Sequence, residues 1–378
     1  MSAWEKNLLG VTVDEVFQLP PGLLIAGLLA WLSVWLSNYI GVTLMGFEKT
    51  PISAVMMAIL LGLIIGNTIP LPTSLKPGLM FAVKKVLRLG IILLGIRLSV
   101  FDVFRLGALG VPIVLLCSLG ALFFTTRLNK WLKLPERLGT LIAVGTSICG
   151  VSAIVATGPA INAKDEEMTY AVSVITIFGI IATLIYPYAA NVIFMGDPVK
   201  AGLFLGTSIH DTSQVTGAAL VFSDVFSLTR CLDVATVTKL VRNVFMVAVI
   251  PFMALYYTKT AGQGESEDKT GFAKLLPLFI VGFLACAALR SIGDAGISAG
   301  GDAFGLWDST TWKGIYSFIK DWAVNFLVVA LAGVGLSTRF RILKGLGIQP
   351  FVVGLGAALM VGVVSFIAIS LLGTFVTF

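Results

Sequence analysis

Apolar runs of about 20 residues, separated by short polar turns, recur along the whole chain. A helix that crosses a bilayer needs about 20 mostly apolar residues, and eleven runs meet that requirement. The turns between them carry Pro or Gly, as in Pro70-Leu71-Pro72. The pattern therefore predicts an all-α polytopic membrane protein, with spans over 22–43, 52–69, 81–101, 109–126, 138–160, 169–193, 201–222, 235–257, 273–290, 317–337 and 349–373.

The composition excludes a soluble domain. Of the 378 residues, 57% are hydrophobic and only 12% are charged, and the mean hydropathy is +0.98. A soluble globular domain carries about 25% charged residues, so most of this surface must face something other than water. A disordered chain is excluded for the same reason, because disorder requires low hydrophobicity.

Basic residues concentrate in the predicted loops on one side of the membrane. The loop after the fourth span holds Arg127, Lys130 and Lys133, and the loops after the eighth and tenth spans hold Lys269 and Arg341. Positive loops stay in the cytoplasm. We therefore expect a cytoplasmic N-terminus, an external C-terminus and no nucleic-acid partner, despite the net charge of +6.

Signatures of enzymes and of metal sites are missing from the sequence. The chain has one histidine, His210, and four cysteines that form no Cys-x-x-Cys pair. No Gly-x-Ser-x-Gly, His-Glu-x-x-His or P-loop motif occurs. Adjacent residues of a helix point about 100° apart, so His210 and Asp211 cannot form the oriented pair of a hydrolase. We expect no enzyme activity, no metal and no cofactor.

The fifth predicted span contains a dense run of small residues. Glycines weaken a helix and allow its backbone to approach another group closely. A broken helix of this kind can bind an anion at the N-terminus of its second half, whereas close helix packing would use the same residue types. The candidate substrate-binding residues of this span are Thr146, Ser147, Cys149, Gly150 and Ser152.

The seventh predicted span is the most polar. From Gly206 to Gln214 it contains one large apolar side chain, Ile209. Ionisable groups are costly within a bilayer and usually face a functional interior. We predict that Thr207, Ser208 and Gln214 bind substrate and that His210 and Asp211 couple transport to protons, although a polar interfacial loop would give the same pattern.

Three basic residues fall within predicted spans: Arg97, Lys239 and Arg242. Lys239 and Arg242 lie three positions apart and hence on one helical face. A dianion that enters a site of low polarity needs a full positive charge beside it, and the planar Arg side chain can grip two of its oxygens. We expect these residues to bind substrate. The alternative is that they snorkel to the nearer interface.

An odd number of spans indicates one extra helix and two repeats of five. We expect an N-terminal segment and extra helix over 1–51, a first repeat over 52–193 and a second, inverted repeat over 194–378. Gly95-Ile-Arg-Leu-Ser is echoed by Gly333-Val-Gly-Leu-Ser, and Gly-Thr-Ser-Ile occurs at 145–148 and 206–209. Neither echo fits a simple register of five and five, and chance similarity among small residues is the alternative.

These same segments resemble the YeiH-type bacterial membrane proteins, a family also described as sulfate exporters. The resemblance runs over nearly the whole chain and is strongest in four motifs. It implies a fold distantly like that of sodium/proton antiporters and bile-acid symporters, with inverted repeats and crossing broken helices. The motifs are Leu-Leu-Gly-Ile-Arg-Leu-Ser at 93–99, Gly-Thr-Ser-Ile-Cys-Gly-Val-Ser-Ala-Ile at 145–154, Gly-Thr-Ser-Ile-His-Asp-Thr-Ser-Gln-Val at 206–215 and Lys-Leu-Val-Arg at 239–242.

Together, these features predict a secondary transporter, an exporter of a small anion, in the bacterial inner membrane. The resemblance implies a sulfur oxyanion such as sulfate or sulfite, with coupling to H⁺ or Na⁺. The expected partners are the anion and the lipid bilayer, and a homodimer is left open. An anion channel and an intramembrane enzyme are the alternative functions.

Overall fold

The computed structural model describes residues 16–47, 50, 52–261, 278–340 and 348–376, and this part of the chain is all-helical. The all-α class predicted from the apolar runs is confirmed. The basic loop residues Lys269 and Arg341, and the N-terminal segment before residue 16, lie outside the described residues.

The chain divides into two compact units, and each unit draws on both halves of the sequence. Unit 1 comprises 1–100 and 281–339, and unit 2 comprises 101–280 and 340–378. The proposed boundary between two repeats, at residue 194, is a division of a different kind and stays a prediction.

Unit 1 is built around one long helix, α14 (Ser309–Ser337). It contacts four other helices of the unit: α1 (Leu19–Asn38), α2 (Ala54–Thr68), α3 (Lys76–Phe81) and α4 (Leu87–Leu94). Glycines permit the closest approach, because a Cβ on Gly62 would lie 2.9 Å from the Ala332 carbonyl oxygen. A π-helical turn (Tyr39–Leu44) continues α1, and α13 (Leu278–Ser298) is a further helix of the unit.

The described residues of unit 2 form three long helices, four short helices in two pairs, and two further helices that follow each other directly in the chain. Three of the four short helices have 10 to 12 residues and the fourth has 15. The helices are α5 (Val100–Trp131), α6 (Glu136–Ser147), α7 (Val151–Ala160), α8 (Asp165–Ile193), α9 (Pro198–Ser208), α10 (Thr212–Phe226), α11 (Arg230–Val244), α12 (Met246–Ala261) and α15 (Ile348–Leu372).

Helices α6 and α7 fold back on each other. In a continuous helix residues 145 and 154 would lie about 13 Å apart along the axis. A Cβ on Gly145 would instead lie 2.9 Å from the side chain of Ile154. The chain reverses over residues 148–150, and we call residues 136–160 hairpin 1.

Helices α9 and α10 form a second hairpin. A Cβ on Gly202 would lie 2.9 Å from the Cys231 carbonyl oxygen. A continuous helix would carry residue 226 about 36 Å from residue 202, and the five residues to Cys231 span at most about 18 Å. Helix α10 must therefore return toward the start of α9, and we call residues 198–226 hairpin 2.

The bases of the two hairpins lie at opposite ends of α8. Hairpin 1 ends just before α8 begins at Asp165, and hairpin 2 begins just after α8 ends at Ile193. The four arms are about 15 to 23 Å long at 1.5 Å per residue. Each arm is shorter than the hydrocarbon core of a bilayer, which is about 30 Å thick.

The structure supports fewer membrane-crossing helices than the eleven predicted spans. Seven helices of the described residues are long and apolar enough to cross a membrane, so the count of eleven is not confirmed. The fifth and seventh spans, 138–160 and 201–222, are the two hairpins. The expected interruptions are present, but the half-helices turn back instead of crossing. Gly145 lies beside Ile154 across the first break, and Gly202 lies beside Cys231, five residues after the end of α10.

The hairpins can be tested by cysteine labelling. The exposed positions Lys133 and Glu166 flank hairpin 1, and Met195 precedes hairpin 2 and is 94% exposed. We expect a membrane-impermeant maleimide to label Lys133→Cys and Glu166→Cys from one side of the membrane and Met195→Cys from the other. The parent chain, with three of its four cysteines buried, is the control. Labelling of Glu166→Cys and Lys133→Cys from opposite sides would contradict a hairpin at 136–160.

Candidate functional site

Helix α11 joins the tips of the two hairpins through Lys239. This side chain is fully buried, and its ammonium group donates three hydrogen bonds to backbone carbonyls. One goes to Ile148 at the tip of hairpin 1, at 2.8 Å. The other two go to hairpin 2, to Ile209 at 3.1 Å and to His210. An ammonium group has three donors, so all of them are used.

Arg242, one turn further along α11, makes the same connection. It is also fully buried. Its Nε donates to the Ser147 carbonyl at 3.0 Å, and its Nη2 donates to the Thr146 carbonyl. Its Nη1 donates to the carbonyls of Thr207, at 2.8 Å, and Ile209, at 2.9 Å. The guanidinium therefore binds the last turns of α6 and α9 together.

These carbonyls are the groups that a helix leaves without partners at its C-terminus. They also lie at the negative end of the helix dipole, where a cation is stabilised. A buried charge is costly unless it is paired and hydrogen-bonded, and a buried carbonyl without a donor is costly too. Hydrogen bonds from the two cations to these carbonyls therefore offset both costs, that of the buried charge and that of the buried carbonyls. We call Lys239, Arg242 and the carbonyls of residues 146–148 and 207–210 the carbonyl cage.

The cage changes the role expected for the two cations. Lys239 has no donor left for a substrate, and Arg242 uses its planar side chain on carbonyls instead of on an oxyanion. Snorkelling to an interface is excluded for both, because neither side chain is exposed. Any effect of these two side chains on a bound ligand would therefore be exerted through the electric field and not through direct hydrogen bonds.

The hydroxyl groups expected to bind substrate also bond within their own helices. Each is buried and donates to a carbonyl four residues earlier, so the contribution of these residues to the site is their backbone. The pairs are Thr146 with Ile142, Ser147 with Ala143, Thr207 with Leu203 and Ser208 with Phe204. Thr207 also shares a 2.5 Å hydrogen bond with Ser365, which had not been singled out.

The second arm of hairpin 1 begins without a side-chain cap. Gly150 precedes α7 with φ 63° and ψ −120°, a conformation that favours glycine. The Ile154 amide donates to the Gly150 carbonyl at 3.2 Å. The amides of residues 151–153 in the first turn have no such partner within the helix and point out of its N-terminal end. Ser152 in this turn is exposed. Cys149, on the other side of Gly150, is buried against Met246 and does not share this opening.

The second arm of hairpin 2 is capped by Asp211. Its Oδ1 accepts from the Ser213 amide at 2.9 Å and from the Ser213 hydroxyl at 2.5 Å. Gln214 completes the cap and donates to the Thr176 carbonyl of α8. The Gln214 side chain occupies the space beside Gly179, where a Cβ would lie 1.9 Å from its oxygen. Gln214 therefore positions hairpin 2, and its amide is not open to a substrate.

The two tips touch. A Cβ on Gly150 would lie 3.3 Å from the Asp211 Cβ and 3.4 Å from the Asp211 amide nitrogen. The uncapped first turn of α7 thus lies next to the capped first turn of α10. Asp211 and Thr212 are partly exposed, so this contact is open on one face.

Two buried polar atoms lie behind this contact. Within the described residues, His210 Nδ1 and Asn243 Oδ1 have no hydrogen-bond partner. Asn243 donates through its Nδ2 to the Thr212 hydroxyl at 3.2 Å. Sequence analysis missed Asn243, although it follows Lys239 by four positions and so shares its helical face.

Among the predicted site residues, all of which the structure describes, Arg97 alone belongs to unit 1. It lies in the 3₁₀ turn that follows α4. The other predicted residues all lie in unit 2, in the hairpins or on α11.

Apolar helices that are long enough to cross a bilayer, together with two interrupted hairpins, define a multi-pass membrane protein. The chain belongs to the YeiH-type family, since residues 21–354 match the family model described as conserved hypothetical protein 698. The resemblance drawn from its motifs is therefore confirmed.

Relatives of similar length occur in several bacteria. A UPF0324 membrane protein of Fusobacterium nucleatum is 32% identical over 318 residues, which cover 84% of this chain and 90% of that protein. A UPF0324 membrane protein of Streptococcus agalactiae is 32% identical over 331 residues, 88% of this chain and 93% of that protein. One from Bacillus cereus is 33% identical over 318 residues, 84% of this chain and 86% of that protein. No solved structure matches the chain.

The carbonyl cage predicts a large loss of stability when a cation is removed. Lys239→Met leaves the carbonyls of Ile148 and His210 without this donor, while the Ile209 carbonyl keeps Arg242. Breaking a buried charged interaction costs about 3–5 kcal/mol. We expect a fall of many degrees in the melting temperature of the purified protein in detergent. Lys200→Met is the matched control, because Lys200 is partly exposed and lies 4.0 Å from Asp197. An exposed ion pair contributes about 0–1 kcal/mol. A normal melting temperature for Lys239→Met would contradict the cage.

Proposed function

We propose that the protein is a secondary transporter of a small anion and that the tips of the two hairpins form its binding site. The observation that carries this proposal is the contact between the uncapped first turn of α7 and the tip of hairpin 2. Helix N-termini attract anions because their amides lack partners and their dipole is positive. Transporters of several folds bind substrate at such helix interruptions.

The charge balance at the tips favours an anion. Lys239 and Arg242 contribute two positive charges, and Asp211 contributes one negative charge. The dipoles of two helix C-termini and two helix N-termini nearly cancel, since each end carries about half a charge of opposite sign. One net positive charge is left in a site of low polarity, and a monoanion would neutralise it.

The arrangement of the two hairpins around α8 is the second support. The two hairpins enter from opposite ends of α8, as expected for two copies that are inverted in the membrane. Both sequence echoes agree with two repeats if the elements of the second repeat follow in a circularly permuted order. In that register, hairpin 1 matches hairpin 2 through Gly-Thr-Ser-Ile, and the end of α4 matches the end of α14 through Gly95–Ser99 and Gly333–Ser337.

The transporter would lie in the bacterial inner membrane with a cytoplasmic N-terminus. The basic residues Lys130, Lys133 and Arg137 lie near the base of hairpin 1, and positive loops stay on the cytoplasmic side. Hairpin 1 would then open from the cytoplasm and hairpin 2 from outside. Export of a sulfur oxyanion, with coupling to H⁺ or Na⁺, is the form that the resemblance implies.

A channel is the second candidate, and flux measurements separate it from a carrier. A carrier exchanges substrate across the membrane and saturates, whereas a pore conducts without exchange. An intramembrane enzyme would turn over an anion or lipid without moving it. The experiment is uptake of labelled sulfate and sulfite by proteoliposomes that are preloaded with the same unlabelled anion.

We expect saturable uptake that is accelerated by the internal anion. Gly150→Ala should remove most of it, since a side chain at φ 63° costs about 1–3 kcal/mol of backbone strain and displaces the tip. Gly110→Ala is the matched control, because no heavy atom lies within 4 Å of a Cβ there. Linear uptake without exchange would favour the channel, and a folded protein that moves neither anion would contradict this form of the transporter proposal.

A further inference from the structure

The two hairpin tips carry opposite hydrogen-bonding groups. The tip of hairpin 1 offers donors, namely the outward-pointing amides of Val151 and Ser152 and the Ser152 hydroxyl. The tip of hairpin 2 offers acceptors, of which the Asp211 carboxylate is partly exposed. The tips approach each other so closely that a Cβ on Gly150 would lie 3.3 Å from the Asp211 Cβ. A small ligand at this contact would therefore face donors and acceptors together.

The residues that make the two tips differ occupy equivalent positions in the two hairpins. When the two Gly-Thr-Ser-Ile segments are aligned, Gly150 corresponds to Asp211 and Ser152 corresponds to Ser213. Asp211 accepts from the Ser213 amide and hydroxyl, whereas Gly150 has no side chain with which to cap Ser152. The first turn of α7 thus lacks the anionic oxygen that its counterpart has.

The tip of hairpin 2 has hydrogen-bond acceptors that no group among the described residues uses. A carboxylate offers about four acceptor positions, and the cap uses only part of them. His210 Nδ1 and Asn243 Oδ1 are buried without partners in the described part of the chain. The side chains are 2% and 1% exposed. The tip of hairpin 2 therefore carries several groups that can accept a hydrogen bond. An anion that has no hydrogen would be repelled by the Asp211 carboxylate.

The cations cannot reverse this preference. Lys239 has all three donors on carbonyls, and Arg242 uses four of its five N–H groups in the same way. Both side chains are fully buried, so they act on the ligand through their charge. Cys149, the remaining titratable group at the tip of hairpin 1, is buried against Met246.

We propose that the substrate is a monovalent oxyanion that carries an O–H group, such as hydrogen sulfite or bicarbonate. Its charged oxygens accept from the first turn of α7, and its O–H donates to the Asp211 carboxylate. No bond to hydrogen is broken, so the proton travels on the anion. This inference rests on the proposed transport function and names its substrate class.

Anions that lack an O–H group should bind weakly even when their charge suits the site. Sulfate and nitrate have no O–H near neutral pH, so each would place a bare oxygen against Asp211. Sulfite gains its hydrogen near neutral pH, and only the protonated form fits. The affinity for total sulfite should therefore fall about tenfold for each pH unit above its protonation midpoint, as proton linkage requires.

The test is a calorimetric and thermal-shift series with sulfite, bicarbonate, sulfate and nitrate on the purified full chain from pH 6 to pH 8. A ligand that binds the folded state raises its melting temperature. We expect sulfite to bind more tightly at pH 6, bicarbonate to bind at pH 8, and sulfate and nitrate to bind at least about tenfold more weakly at every pH, a difference of about 1.4 kcal/mol.

Asp211→Asn supplies the complementary variant. Asn is as good a helix N-cap as Asp, so hairpin 2 should still fold, and its amide can donate to a bare oxygen. We expect sulfate and nitrate to gain affinity relative to sulfite and the pH dependence of sulfite binding to flatten. Asp197→Asn is the matched control, because Asp197 caps α9 through the amides of Val199 and Lys200 and should behave like the parent.

The outcomes separate the two proposals. If sulfate or nitrate binds the parent as tightly as hydrogen sulfite, with no pH dependence, the inference on substrate class is wrong and anion transport still stands. If none of the four anions binds a folded protein, both proposals fail. The pH series on the parent tests the substrate class even if Asp211→Asn does not fold.

Discussion

Unit 2 depends on the way in which four helix ends are satisfied inside an apolar protein. A bilayer offers no water to backbone groups, so helices that stop within it must find partners in the protein. Helices α6 and α9 stop at Ser147 and Ser208, and the cations of α11 take up their last carbonyls. Without either cation, buried carbonyls would have no hydrogen-bond donor, and without the carbonyls a buried charge would have no partner. The cations and the carbonyls therefore stabilise each other in the apolar interior.

This constraint also leaves the first turns of α7 and α10 free for other partners. The cage holds the C-terminal ends of the first arms, so the N-terminal ends of the second arms start at the same place. Asp211 caps one of them and glycine precedes the other. The asymmetry between two otherwise similar hairpins gives the tips both a donor side and an acceptor side, and the cations give them their net charge.

Sequence patterns predicted the helical class, the break near Gly150 and the common face of Lys239 and Arg242. They could not distinguish a hairpin from a crossing helix, because a run such as 138–160 has the length of a span in either case. Only contacts between its two sides, such as Gly145 with Ile154, separate the alternatives. The partners of Lys239 and Arg242 could not be predicted for a related reason. Residue type shows that a buried cation needs a partner, but the partners here are backbone carbonyls, which every residue has. Gln214 was noticed as polar, yet its role depends on the space beside Gly179, which lies 35 positions earlier in the chain.

The cage can be tested most directly by a double-mutant cycle. Lys239 and Arg242 both donate to the Ile209 carbonyl, and both tie hairpin 1 to hairpin 2. If they form one unit, the free energy of unfolding lost in Lys239→Met with Arg242→Met should be smaller than the sum of the two single losses by about 1 kcal/mol or more, within the range seen for residues that share partners. Strictly additive losses would show that each cation acts alone and would contradict a shared cage.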